Sequence, residues 1–134
     1  VDHEGEVLEA YVTRRRDRKA ALRFLRRTMK RYGNPHVVVT DRLKSYKAAM
    51  KLIGNAGHQA TGRWLNNLAE SSHLPFWRKE RAMGKFHSFE TLQRFVSAQS
   101  SVHNHYSQER HLNRRETFKA NRSAAQAEWR QLAA

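Results

Sequence analysis

Between Asp17 and Gly33 the apolar residues recur with the period of a helix, and a β-branched run follows almost at once. Ala21, Leu22, Phe24, Leu25, Thr28, Met29 and Tyr32 share one side of a helical wheel, with Lys19, Arg23, Arg26, Arg27 and Lys30 opposite. Asp17 is a natural N-cap, and Gly33 followed by Asn34 and Pro35 forbids continuation. His36 to Asp41 (HVVVTD) then reads as a buried, parallel strand that ends in an acid. A helix leading straight into such a strand restricts the chain to an α/β arrangement of packed layers.

The flanking pattern extends this order. His3 to Glu6 is a polar turn, and Val7 to Thr13 carries the β-formers of a strand. If that strand lies parallel to His36–Thr40, the crossover between them is right-handed. Leu43 to Ile53 is a second amphipathic helix, and Gly54 to Gly62 a loop. A third helix runs from Asn67 to about Met83, with Pro75 expected to bend it or end its first part. Ser88 caps a fourth, with Phe89, Leu92, Phe95, Val96 and Val102 on its apolar face, running to about Tyr106. Arg110 to Arg122 is basic and weakly patterned, and Ser123 to Leu132 forms a short last helix bearing Trp129. The organisation is one domain over 1–106 and a basic tail over 107–134.

Charge restricts the partners. The 134 residues hold 26 Lys and Arg against 12 Asp and Glu, a formal net charge of +14. Residues 1–13 carry four acids and no Lys or Arg, whereas residues 14–31 carry ten bases and one acid. That is more than solubility asks for, and a polyanion would relieve the self-repulsion; nucleic acid is the commonest. A membrane surface competes poorly, because the bases do not lie on one helix with a broad Trp/Leu face. No apolar run approaches a membrane span. The absence of cysteine removes disulfides, a thiolate nucleophile and Cys-ligated metal, and fits a reduced, cytoplasmic setting. Val1 in place of Met reads as the start of a fragment or processed product.

Two acids stand out. Asp41 closes a strand where open α/β sheets place their ligands, and Mg²⁺ takes one or two carboxylates beside phosphate and water. The structural alternative is a cap for the helix at Leu43. Glu70 sits in the first turn of the third helix, turned toward Asp41 or closing a capping box with Asn67. Together, on a basic chain, they suggest metal-assisted phosphodiester chemistry. His73 shares the helix face of Glu70 and is placed to touch phosphate, or is a partly buried helix residue. His103, His105 and His111 read as surface or phosphate-contacting, because i,i+2 histidines on a helix diverge. No Gly-rich phosphate loop, Ser–His–Asp order or zinc spacing occurs.

At these residues the chain resembles bacterial DDE transposases of insertion-sequence family six. The resemblance rests on Thr13 to Ala21 (TRRRDRKAA), Val37 to Asp41 (VVVTD) with Leu43 to Tyr46 (LKSY), and Leu65 to His73 (LNNLAESSH). Arg78 to Arg81 (RKER), Lys85-Phe86, Ser88, Gln93 to Phe95 (QRF) and Val102 to His105 (VHNH) extend it to about residue 112. It implies a ribonuclease-H-like fold shared with retroviral integrases, a mixed sheet flanked by helices and lacking its first strand. It further implies a Mg²⁺- or Mn²⁺-dependent DNA strand transferase in the bacterial cytoplasm, nucleoid-associated, acting as a homo-oligomer on inverted-repeat ends and target DNA. Asp41 then matches the second acid of the triad and Glu70 the third, as catalytic and metal-binding residues. Lys44, Asn67, His73, Lys79, Arg81 and Lys85, with Arg78 as the neighbour of a usual basic position, are then the expected DNA-binding residues.

The first acid of the triad has no counterpart, since Asp2 matches the acid that closes the second strand. The chain is therefore expected to be inactive alone. Trp77 and His87 occupy positions where the family usually carries a base, with Arg78 next to the first. A non-catalytic basic DNA-binding module and a ribonuclease-H-like nuclease are the alternative readings. Convergence of Asp41 and Glu70 on one metal favours catalysis; a Glu70 that only caps its helix favours the binding module.

Overall fold

The computed structural model describes residues 1–62, 64–84 and 86–134. Its elements in order are α1 (Arg18–Tyr32), β1 (Val38–Val39), α2 (Lys44–Ile53), a single 3-10 turn (Ala56–His58), β2 (Gln59–Ala60), α3 (Asn67–Met83), α4 (Phe89–Tyr106) and α5 (Arg115–Ala133). They divide into two compact units, Tyr11–Ser71 and Val1–Ala10 with Ser72–Ala134. The result is a helix-dominated α/β chain with one two-stranded parallel sheet among the described residues.

In the unit Tyr11–Ser71, α1 starts and stops where the side chains dictate. The Asp17 carboxylate accepts the Ala20 N–H at 2.8 Å, and Gly33, at φ 86°, donates its N–H to Met29 O. α2 ends in a Schellman motif: Gly54 N–H bonds to Lys51 O and Asn55 N–H to Met50 O. The two helices pack through Ala21 and Leu25 on one side and Ala49 and Met50 on the other, flanked by Leu22, Phe24, Met29, Tyr46 and Ile53. Met50 is wholly buried.

β1 pairs in parallel with β2, Val38 opposite Gln59 and Val39 opposite Ala60. Thr40 extends the ladder, donating its N–H to Ala60 O at 3.1 Å, and its hydroxyl accepts from Gln59 Nε2 at 2.8 Å. The strand is parallel as expected but not buried throughout. Val38 and Thr40 turn inward while Val37 and Val39 are exposed, the alternation of a one-sided sheet. Its partner comes from the stretch read as a plain loop.

Val7–Thr13 is not a strand, so the crossover expected between it and His36–Thr40 has no counterpart. In the unit Val1–Ala10 with Ser72–Ala134, the start of this segment is held by side-chain amides of α4. Asn104 Oδ1 accepts the Val7 N–H at 2.8 Å and Asn104 Nδ2 donates to Val7 O at 3.1 Å. Gln93 Nε2 donates to Ala10 O at 2.8 Å. Backbone groups satisfied in this way need no neighbouring strand. Upstream, the Asp2 carboxylate accepts the N–H groups of Glu4 and Glu6, forming the expected polar turn with Gly5 at φ 89°.

α3 runs on through Pro75, so the proline does not end the helix. Ser88 caps α4 as expected, accepting the Thr91 N–H at 3.1 Å. The last helix is longer than Ser123–Leu132, reaching back to Arg115. It docks on α4 through the buried Ala125 and an aromatic group of His105, Tyr106 and Trp129. No helix among the described residues is long and apolar enough to cross a membrane.

Candidate functional site

Asp41 stands two residues beyond β1, exposed, at the carboxyl end of the strand. Its carboxylate accepts the Leu43 N–H at 3.2 Å. This local turn leads the chain into α2, whose N-cap is Leu43 without a side-chain bond. Asp41 therefore shapes the approach to the helix rather than capping it. Lys44, the first residue of α2, is exposed.

Tyr46 belongs to the same corner. Burial pushes its hydroxyl above the ordinary tyrosine range, the Asp41 carboxylate adds to the rise, and Arg16 opposes it. In the sequence Tyr46 belongs to the second amphipathic helix and the LKSY motif, and Arg16 to the basic run and the TRRRDRKAA motif, with no site role given to either. The single available signal was the spacing of an acid and a tyrosine across a helix start.

Glu70 lies in the first turn of α3, where a carboxylate is favoured by the helix dipole. Its N–H bonds to Asn66 O at 3.0 Å, and its Oε1 accepts from Asn66 Nδ2 at 3.3 Å. Asn66, not Asn67, is thus the amide that engages it. Asn67 is exposed and donates its N–H to Trp64 O. Asp41, Lys44, Asn67 and Glu70 all fall in the unit Tyr11–Ser71, and both carboxylates are exposed.

His73, Arg78, Lys79 and Arg81 lie farther along α3, in the other unit, and all are exposed on the helix. Lys79 Nζ donates to the buried Gln99 Oε1 at 2.7 Å, which ties α3 to α4. Lys85 lies outside the described residues. The histidines of α4 differ from the expected surface residues. His105 Nε2 donates to Ala125 O at 2.8 Å, and burial holds His103 below the ordinary histidine value. His111 is exposed, and its Nε2 donates to His3 O at 2.7 Å. Among the described residues no group of three or more histidines and carboxylates gathers as a metal site.

The comparisons with known proteins agree on one family. Residues 1–109 match the family described as the DDE domain. The transposase for the insertion sequence-like element IS431mec of Staphylococcus aureus is 35% identical over 78 residues, covering 54% of this chain and 35% of that protein. The transposase for insertion sequence element IS257 in transposon Tn4003, also of Staphylococcus aureus, matches to the same extent. The chain thus spans about a third of the length of these relatives. No solved structure matches.

Proposed function

Because this chain belongs to the DDE domain family, we propose that it is catalytic-domain sequence of a DNA transposase, cleaving and joining DNA at insertion-sequence ends. The observation that carries this reading is the placement of Asp41. It is an exposed acid just past the carboxyl end of a parallel strand, in one compact unit with Glu70. We read the sheet as part of a ribonuclease-H-like fold over residues 1–106, with 107–134 as a basic C-terminal extension.

The donor set suits a hard divalent cation, since both groups offer carboxylate oxygens and Mg²⁺ commonly takes one or two of them beside phosphate and water. Asp41 and Glu70 would hold Mg²⁺ or Mn²⁺. When bound, the ion would supply Lewis-acid chemistry at the attacking oxygen, water and then a DNA 3′-OH, and at the leaving oxygen. In the transfer step a new P–O bond forms to the 3′-oxygen as the P–O bond to the leaving strand breaks. The chain's own groups position the DNA. Lys44 follows Asp41 by three residues, Asn67 precedes Glu70 by about one turn, and His73, Arg78, Lys79, Arg81 and Lys85 follow in sequence. Action on bacterial DNA puts the protein at the nucleoid, as a homo-oligomer when it pairs two ends.

One observation favours a second reading. The Asn66–Glu70 side-chain bond gives Glu70 a structural task at the start of α3, as a non-catalytic DNA-binding module would require. Strand transfer decides between them. These 134 residues match two of the three acids of the triad, so the chain by itself is expected to be inactive. Joined to an upstream Asp-bearing strand, it should transfer strands when Mg²⁺ is present. Asp41→Asn or Glu70→Gln should then reduce the rate by roughly a hundredfold or more. Activity indifferent to both substitutions would sink the catalytic assignment. Cleavage by the 134-residue chain itself would refute the need for a third acid.

A further inference from the structure

The basic run of residues 14–31 acquires a shape in the fold. α1 contains no acid, and its rotation is fixed by the packing of Ala21 and Leu25 onto α2. That leaves Lys19, Arg23, Arg26, Arg27 and Lys30 exposed along one outer face. Lys19/Arg23, Arg23/Arg27 and Arg26/Lys30 are like-charge pairs four residues apart, each opposing the helix by a few tenths of a kcal/mol.

Arg23 Nη1 donates to the neutral Tyr11 hydroxyl at 3.2 Å. Among the described residues Lys19, Arg26 and Lys30 have no carboxylate partner.

We propose that the outer face of α1 is a DNA-docking track that grips the phosphate backbone without regard to sequence. Lys19 to Lys30 spans about 16 Å of helix axis at 1.5 Å per residue. One strand of a duplex carries about five phosphates over that length, at about 3.4 Å each, a number equal to the five basic side chains of this face. A lipid surface does not suit this face, since the apolar side of α1 is committed to the core and offers nothing to insert. Arginine predominates, which suits forked contacts to phosphate. The inference rests on the transposase reading only in choosing DNA as the polyanion.

The test is the salt dependence of binding to a random-sequence duplex, measured by fluorescence anisotropy with the whole chain. Removing three phosphate contacts in R23Q/R26Q/K30Q should lower the slope of log K against log salt by about 2.7, with the helical circular dichroism retained. A control of equal charge change on α5, K119Q/R122Q/R130Q, should change the slope far less. Equal slopes for the two triple variants, or no change in R23Q/R26Q/K30Q, would overturn the track. Tighter binding of the wild-type chain to phosphatidylserine vesicles than to duplex would overturn it too. If R23Q/R26Q/K30Q lowers the slope as expected while strand transfer in the extended protein is indifferent to Asp41→Asn and Glu70→Gln, the docking track stands and the catalytic reading falls.

Discussion

Asp41 and Glu70 are each engaged locally, by the Leu43 N–H and by the Asn66 side-chain amide. An exposed carboxylate with a single neutral donor keeps lone pairs for other partners, so these bonds orient the acids without consuming them. Tyr46 reports on Asp41. Its hydroxyl is raised first by burial and then by the Asp41 charge. Asp41→Asn should therefore lower the Tyr46 pKa, read as an earlier rise in tyrosinate absorbance during alkaline titration. A titration unchanged by the substitution would separate the two side chains. The sign for stability follows from proton linkage. The folded state holds the Tyr46 proton more tightly than the unfolded one. This stabilisation is intact below the ordinary tyrosine value near 10 and is lost as pH rises through the folded value.

The elements legible from sequence are those whose signals are local. α1 was readable end to end because period, Asp17 and Gly33 agree, and α4 because Ser88 precedes a clear apolar face. The sheet was not. β2 consists of Gln59 and Ala60, neither a strong β-former, and its existence depends on Val38 and Val39 some twenty residues away. Val7–Thr13 has the right residues for a strand, but Val7 and Ala10 find Asn104 and Gln93, a contact no local pattern encodes. The α1–α2 interface carries the core of its unit, and Met50 is its most buried large side chain. Met50→Ala should destabilise that unit by about 2–5 kcal/mol, measured by urea denaturation with helical circular dichroism. A loss below about 0.5 kcal/mol, the range of ordinary surface changes, would show that this interface is not the core.

At the scale of the whole chain, the charge of +14 acquires addresses. Ten of the 26 bases lie in residues 14–31, and Arg42 with the three lysines of α2 and the bases around α5 carry much of the rest. The four acids of the N-terminal stretch belong to a turn and an extended segment, not to an acidic tail. Of the candidate site, the sequence carried the two acids and their neighbours on α3. The partners that orient them, Asn66 and the Leu43 N–H, and the tyrosine beside Asp41 depend on how the backbone turns at each helix start.

In the proposed mechanism Asp41 and Glu70 hold one divalent ion together. Titration of the chain with Mn²⁺, followed by paramagnetic broadening of backbone amide resonances, tests this without requiring catalysis. Amides around Asp41 and around Glu70 should broaden in parallel, and D41N or E70Q alone should abolish both effects. Broadening confined to one of the two segments, or persisting in both variants, would contradict a shared metal site.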